Sequence, residues 1–150
     1  SKKNVKIVHI SSMSVSSDEF EKLKKSLYAC SDLALVTSGT VVLELAKASV
    51  PMIVGYRAGF LTEIIYRLFI KVSSANLVNL ITKRNDIPEL LFNRCNAKNF
   101  YNEATALLDK KEQAETQLIS SKQAIRELGY GSIDPSIRAA KSIKKFLRSS

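Results

Sequence analysis

The sequence has little of the material from which metal and redox sites are built. It contains no tryptophan, one histidine and two cysteines, and Cys30 and Cys95 lie far apart in the chain. We therefore expect neither a metal site nor a disulfide framework, and two isolated cysteines suit a reducing compartment. All unbroken apolar runs are much shorter than the roughly 18 residues that indicate a transmembrane helix.

Negative charge is also scarce. The chain carries 23 lysines and arginines against 14 acidic residues, a net charge of +9. The excess is uneven, because residues 31–90 hold six basic and five acidic side chains, whereas residues 91–150 hold eleven and six. Because the middle of the chain is near neutral and the ends are basic, we do not expect the charge excess to take part in catalysis. It suits contact with an anionic membrane or a nucleic acid, or it simply keeps the protein in solution. The lack of tryptophan, the few aromatics and the absence of Arg-Gly runs argue against a nucleic-acid partner.

What is present is the composition of a single globular domain over residues 1–150, with 45% apolar and 25% charged residues. The first half alternates between short apolar runs and amphipathic segments. The predicted elements are a strand over Lys6–Ile10, a helix opened by the Ser16/Glu19 capping box, a buried strand over 33–37, a helix from the 38–40 turn to about Ser49, and a buried strand over 52–56. A strand, a helix and a strand in so short a span predict parallel pairing with a right-handed crossover.

The second half is predominantly helical by its periodicity. We expect an amphipathic helix over 60–72, a polar and functional loop over 73–87, a short helical segment opened by Pro88-Glu89, helices over 96–108 and 111–128, and a last helix started by Asp134-Pro135. The predicted fold class is α/β, a Rossmann-like parallel sheet flanked by helices, with extra helices at the C-terminus. His9, at a strand end, is expected to be structural.

The Ser38-Gly39-Thr40 turn is the sharpest candidate for a binding site. It follows a buried parallel strand and precedes a helix, whose N-terminus would offer free N–H groups and partial positive charge to a phosphate. Glu44 lies one helical turn after Thr40 among apolar residues, where a carboxylate could accept hydrogen bonds from a ribose diol. The alternatives are that Ser38 is only an N-cap, that Gly39 is only a turn residue, and that Glu44 faces solvent.

Several motifs together resemble the C-terminal domain of the bacterial lipid-A-disaccharide synthases. They are Ser38-Gly39-Thr40 with Glu44, the run Val-Pro-Met-Ile-Val-Gly-Tyr-Arg over 50–57, Leu61-Thr62, Asn79-Leu80-Ile81 with Arg84, and Pro88-Glu89-Leu90-Leu91. The Ser-Gly-Thr element is shared widely by nucleotide-sugar glycosyltransferases with two Rossmann-like domains, whereas the 50–57 run is more specific. The resemblance covers roughly residues 28–110. One departure is Val78, because the family usually has proline there.

The resemblance implies that the chain is the C-terminal half of a GT-B glycosyltransferase, a hexosyltransferase that transfers a sugar from UDP-2,3-diacylglucosamine to diacylglucosamine 1-phosphate and releases UDP. It places Ser38, Gly39 and Thr40 on the phosphates and Glu44 on the ribose. It also places Arg57, Asn79 and Arg84 around the sugar–phosphate, with Asn79 as the candidate catalytic residue. No cofactor is implied.

The remaining implications concern partners. The N-terminal acceptor domain, which would hold the general base, is not among these 150 residues, so this chain alone is expected to be inactive. The resemblance also implies a cytoplasmic location at the inner face of the inner membrane, with the anionic membrane surface as a partner and a homodimer as one option for the assembly.

Two other interpretations remain open from the sequence. One is a different UDP-sugar glycosyltransferase of the same architecture, and the other is a non-catalytic basic module that binds a membrane or a nucleic acid. The last helix bears on the second. It has an apolar stripe of Ile137, Ala140, Ile143 and Leu147 and a basic face of Arg138, Lys141, Lys145 and Arg148. Such a helix fits either an anionic membrane surface or the body of the protein.

Overall fold

The computed structural model of the chain describes residues 16–37, 39–57, 74–131 and 135–149. It divides into two compact units, Ser1–Ser31 and Asp32–Ser150, each described here by itself. Some expectations lie outside the described residues. They are the strand over 6–10 with His9, the side chain of Ser38, the helix over 60–72 with Leu61 and Thr62, and the N-cap Asp134.

The described part of the first unit is one helix, α1 (Ser17–Ala29), held at its start by a capping box. The Ser16 hydroxyl accepts a hydrogen bond from the Glu19 N–H at 3.3 Å, and the Glu19 carboxylate accepts one from the Ser16 N–H at 3.1 Å. The hydrogen bond from the Ser16 side chain, followed by the one from its backbone, holds the pKa of Glu19 below its usual value. The predicted capping box is therefore confirmed.

The second unit is built on a parallel sheet of three strands in the order β1 (Ala34–Thr37), β2 (Met52–Tyr56) and β3 (Glu89–Leu91). Ala34 pairs with Met52, and Val54 pairs with Glu89. The helix α2 (Val41–Ala48) connects the first two strands. This arrangement confirms the predicted strand–helix–strand unit and the α/β fold class.

Helix α2 packs against β1 and β2, and the remaining helical elements follow β2 along the chain. They are α3 (Leu77–Thr82), a 3₁₀ turn (Phe92–Arg94), α4 (Ala97–Asp109), α5 (Lys111–Glu127) and α6 (Pro135–Ser149). The predicted helices over 96–108 and 111–128 and the last helix are confirmed, and α5 packs against α2, α3 and α4. Gln117 fixes α5 to the sheet, because its Oε1 accepts a hydrogen bond from the Met52 N–H at 3.0 Å. Among the described residues, no helix has the length and apolar character needed to cross a membrane.

Two local predictions are wrong. The expected loop over 73–87 contains α3, because the Asn76 side chain accepts the Asn79 N–H at 3.0 Å and caps a short apolar helix. The segment after Pro88 is a strand rather than a helix. Its residues pair with Val54–Tyr56 of β2, a long-range contact that outweighs the local helix-start signal.

The burial of the strands also differs from expectation at one place. Met52, Ile53 and Val54 of β2 are fully buried. In β1 the side chains alternate instead, and Leu35 is 59% exposed. The prediction of a buried strand over 33–37 is therefore wrong for the described structure, because the described residues leave one face of β1 uncovered.

The core against one face of the sheet depends on close approach at Gly55. Ile53, Leu90 and Leu107 form a buried cluster against which Phe100 packs. The Phe100 ring lies so close to Gly55 that a Cβ atom at this position would be 2.3 Å from its Cζ. Glycine is thus required here by space.

Replacing Gly55 with alanine should destabilise the second unit. The methyl group would force the Phe100 ring out of its place, and overpacking of this kind costs about 1–3 kcal/mol. Urea denaturation should show a lower midpoint for Gly55→Ala. In a Phe100→Leu background, Gly55→Ala should lower the free energy of unfolding by less than it does in the parent. Equal stability of Gly55→Ala and the parent would contradict the close contact.

Candidate functional site

The carboxyl ends of β1 and β2 lie side by side, because Thr37 pairs with Gly55 in the parallel register. Ligands of open α/β sheets bind at this edge. Gly39 follows β1 with φ +151°, a conformation that other residues rarely adopt, and no atom of the described residues lies within 4 Å of where its Cβ would be. The turn is therefore both specific for glycine and open on the side where a side chain would project.

A cavity of about 640 Å³ opens along this edge. It is lined by Leu35, Val36, Thr37, Gly55, Tyr56, Arg57, Cys95 and Phe100. Its walls are mainly apolar, and the exposed Arg57 directly follows β2. The Tyr56 ring meets the Phe92 ring edge-on, with centroids 6.4 Å apart. The cavity thus combines mainly apolar walls with the exposed cation of Arg57.

The start of α2 keeps backbone donors available. Thr40 occupies the N-cap position in a helical conformation and makes no side-chain capping bond. The Val42 and Leu43 N–H groups donate to Gly39 and Thr40 carbonyls at 3.3 and 2.9 Å. Within the described residues, the N–H groups of Thr40 and Val41 donate to no other backbone group. The N–H groups and the dipole at a helix N-terminus favour an anion.

Glu44 lies in the first turn of α2, on the face it shares with Thr40, and its side chain is half-buried. The neighbouring Leu45 and Ala46 are buried in the core. The structure therefore brings Gly39 and Arg57 to the carboxyl edge of the sheet, with Thr40 and Glu44 at the start of the helix that begins there.

Asn79 is in a different setting. It is 2% exposed, and its Nδ2 donates to the Ile87 carbonyl and to Glu89 Oε1, both at 2.9 Å. Its Oδ1 accepts the Ile87 N–H at 3.2 Å. Both amide protons are thus used within the chain, although the residue borders a second cavity of about 500 Å³ along β3. This geometry gives Asn79 a role in positioning, and its contact with a sugar–phosphate stays a prediction.

Glu89 is the centre of this polar cluster, which the sequence reasoning missed. Its carboxylate accepts hydrogen bonds from the Ala75 N–H at 2.8 Å, from Asn76 Nδ2 at 3.0 Å, from Asn79 and from the Ser74 hydroxyl. A partly buried carboxylate is stable only when its lone pairs are satisfied in this way. The signal in the sequence was the Asn-x-x-Asn spacing of Asn76 and Asn79, because an asparagine is a typical N-cap residue whose side chain accepts the N–H three residues later.

Arg84 is not brought to the carboxyl edge. It follows α3 and its Nε lies 3.4 Å from Asp86 Oδ2. Asp86 also accepts a hydrogen bond from Ser120 of α5, one turn after the Gln117 that holds the first residue of β2. This places Arg84 toward the amino ends of the strands, and its predicted contact with the sugar–phosphate also stays a prediction. No group of three or more metal-ligating side chains occurs among the described residues.

Comparison with known proteins identifies the family of this chain. The family model described as lipid-A-disaccharide synthetase matches residues 2–143 of the chain. The chain belongs to the lipid-A-disaccharide synthetase family. This family membership confirms the resemblance inferred from the motifs.

Individual relatives cover most of this chain but only part of their own length. The lipid-A-disaccharide synthases of Rickettsia bellii (strain OSU 85-389) and Rhodospirillum centenum are 39% identical over 127 residues and 38% identical over 120 residues. These matches cover 84% and 80% of this chain, and 33% and 30% of the relatives. The chain therefore spans about a third of the length of these synthases. The comparison with solved structures gave no match.

Replacing Asn79 with alanine should destabilise the second unit by about 1–3 kcal/mol, the cost of leaving buried groups unpaired. The change removes three hydrogen bonds that join α3 to Ile87 and Glu89. Asn79→Asp keeps the acceptor but places a second carboxylate beside Glu89, so it should be at least as harmful at neutral pH. Thermal unfolding of both variants tests this, with Asn85→Ala as the exposed control. Unchanged melting of Asn79→Ala would exclude the positioning role.

Proposed function

We propose that this chain supplies the UDP-sugar-binding half of a glycosyltransferase that forms the lipid A disaccharide. The observation that carries the proposal is that the Gly39 turn and Arg57 lie at the same edge of the sheet, in a chain that belongs to this family. The donor would be UDP-2,3-diacylglucosamine and the acceptor diacylglucosamine 1-phosphate. The relatives bear the name of the synthase that makes this disaccharide.

In this proposal, Ser38, Gly39 and Thr40 hold the diphosphate of the donor. Support comes from the open space over Gly39 and from the backbone donors at the start of α2. Glu44 accepts hydrogen bonds from the ribose hydroxyls, and Arg57 binds the phosphate next to the sugar, since a guanidinium can make two hydrogen bonds to it. Asn79 and Arg84 remain proposed contacts of the sugar–phosphate, although neither is among the described residues that line the carboxyl-edge cavity.

The reaction is an inverting transfer. The acceptor hydroxyl attacks the anomeric carbon of the donor, the bond from that carbon to the diphosphate breaks, and UDP leaves with the electron pair. A base takes the hydroxyl proton. This chain would stabilise the negative charge that develops on the leaving diphosphate, through the α2 N-terminus and Arg57. The base and the acceptor pocket would come from the N-terminal domain of the complete enzyme.

Both proposed substrates carry acyl chains, so the enzyme must work at a lipid surface. Helix α6 suits such contact, because its described side chains are exposed and include Ile143, Phe146 and Leu147 beside several lysines. Arg138 Nη1 donates a hydrogen bond to the Leu128 carbonyl at 3.0 Å and so links the start of α6 to the end of α5. We infer peripheral attachment to the inner face of the inner membrane through α6.

The role of Glu44 is tested by Glu44→Gln. Loss of its charge should weaken UDP binding by about 1–3 kcal/mol, the range for a hydrogen bond to a charged group, without unfolding the protein. Calorimetric titration with UDP measures the effect, and Glu112→Gln, an exposed change on α5, serves as the control. If Glu44→Gln binds UDP as the parent does, Glu44 does not hold the ribose.

Gly39→Val should lower both UDP affinity and stability. A β-branched residue at φ +151° is strained, and its side chain would fill the space proposed for the diphosphate. Calorimetry with UDP and a denaturation curve separate the two effects. Gly39→Ala, which adds less bulk under the same strain, should retain more binding than Gly39→Val.

The membrane contact is tested by changing Lys141, Lys144 and Lys145 together to glutamine. Each lysine near an anionic membrane contributes about 1 kcal/mol, so attachment at low salt should be mostly lost. Sedimentation with phosphatidylglycerol vesicles and with phosphatidylcholine vesicles measures attachment. The control variant changes Lys98, Lys110 and Lys111, which removes the same charge elsewhere. Equal sedimentation of the two variants would mean that α6 is not the attachment site.

A further inference from the structure

A second charged site lies away from the carboxyl edge, between the end of α2 and the C-terminal half of α5. A cavity of about 350 Å³ opens there. Lys47 comes from the last turn of α2, Lys122 and Arg126 come from α5, and Tyr130 follows α5. None of the described residues that line the cavity is acidic.

The positive charge of this cavity is concentrated and unneutralised. Lys122 and Arg126 are four residues apart on α5, so they share a face and repel each other. The Lys47 ammonium lies 4.3 Å from the centre of the Tyr130 ring, which orients it without cancelling its charge. The ion pairs seen in the described part of the chain involve other residues. The exposed Lys47, Lys122 and Arg126 side chains border one cavity that has no carboxylate among its described lining residues, an arrangement that favours a bound anion.

The ends of the two helices account for only part of this arrangement. Lys47 and Arg126 lie in the last turns of α2 and α5, where the helix dipole favours cations. Lys122 lies a full turn earlier, and its charge gains little from that dipole. The grouping of all three around one concave surface with an aromatic ring is therefore better explained by a ligand.

The floor of the cavity narrows the class of anion. Ala46 is 2% exposed and Ile125 is half-buried, so the base between the cations is apolar. Inorganic phosphate would use only the cations, whereas a phosphodiester attached to hydrocarbon would also cover the floor. We propose that this cavity binds the phosphate headgroup of an anionic phospholipid. Lys47, Lys122 and Arg126 contact the phosphate, and the glycerol and first methylenes lie over Ala46 and Ile125.

The site is joined to the helix already inferred to contact lipid. Leu128, whose carbonyl accepts the hydrogen bond from Arg138, is two residues from Tyr130 in the cavity wall. The inference thus rests on the proposed membrane function and deepens it. Helix α6 supplies general attraction to an anionic surface, and the cavity supplies a defined place for one lipid.

The test uses short-chain phosphatidylglycerol below its critical micelle concentration, titrated into the full chain and followed by NMR. Short-chain phosphatidylcholine and sn-glycerol 3-phosphate are the comparison ligands. The double variant Lys122→Gln/Arg126→Gln should bind phosphatidylglycerol about 25-fold more weakly, at about fivefold for each charge. The matched control is Lys110→Gln/Lys111→Gln, which removes two charges at the other end of α5 and should bind as the parent does.

Three outcomes would overturn the proposal. The first is that the double variant binds phosphatidylglycerol as tightly as the parent does, and the second is that the parent binds phosphatidylcholine and phosphatidylglycerol equally well. The third is that sn-glycerol 3-phosphate binds as tightly as the lipid, because the cavity would then be a site for free phosphate. The variant changed at Lys141, Lys144 and Lys145 separates the two membrane proposals. If this variant binds soluble phosphatidylglycerol as the parent does, the headgroup site is supported independently of whether α6 binds vesicles.

Discussion

The two-sided burial of β2 is the constraint on which the rest of the second unit depends. A strand that is covered on both faces can satisfy its backbone only through neighbouring strands, and here β1 and β3 provide parallel partners. Parallel pairing then requires a crossover between β1 and β2, which is α2, and it brings the ends of both strands to the same edge. The Gly39 turn and Arg57 follow the carboxyl ends of neighbouring strands for this reason.

A second requirement comes from β3, which has three residues and little intrinsic stability. Glu89 is the first residue of this strand, and its carboxylate accepts hydrogen bonds from the segment that leads into α3 and from α3 itself. One charged group therefore orders both the strand and the preceding turn. A polar cluster of this kind specifies a single arrangement, because any shift in register would leave several buried groups unpaired.

Local sequence patterns predicted the elements whose signals are local. The Ser16/Glu19 box, α2, α4 and α5 follow from capping residues and helical periodicity, and β2 follows from its apolar run. Helix α3 was missed because six residues between polar neighbours give too short a pattern to recognise. Pro88-Glu89 has the appearance of a helix start, and only pairing with β2, distant in the chain, makes it a strand. For the site, the family resemblance named Arg57, and the parallel register of β1 and β2 brings it to the edge where the Gly39 turn lies. The position of Arg84 depends on how α5 packs, which no local pattern encodes.

The wall of the carboxyl-edge cavity contains a free thiol, Cys95, next to Tyr56 and Arg57. The sequence has one other cysteine, Cys30, which belongs to the first unit. A Cys30→Ser chain would therefore carry a single reactive sulfur, located where the donor nucleotide is proposed to bind. A fluorophore or spin label attached there would report occupancy of the cavity by its change in environment, so ligands could be screened optically without any enzymatic turnover.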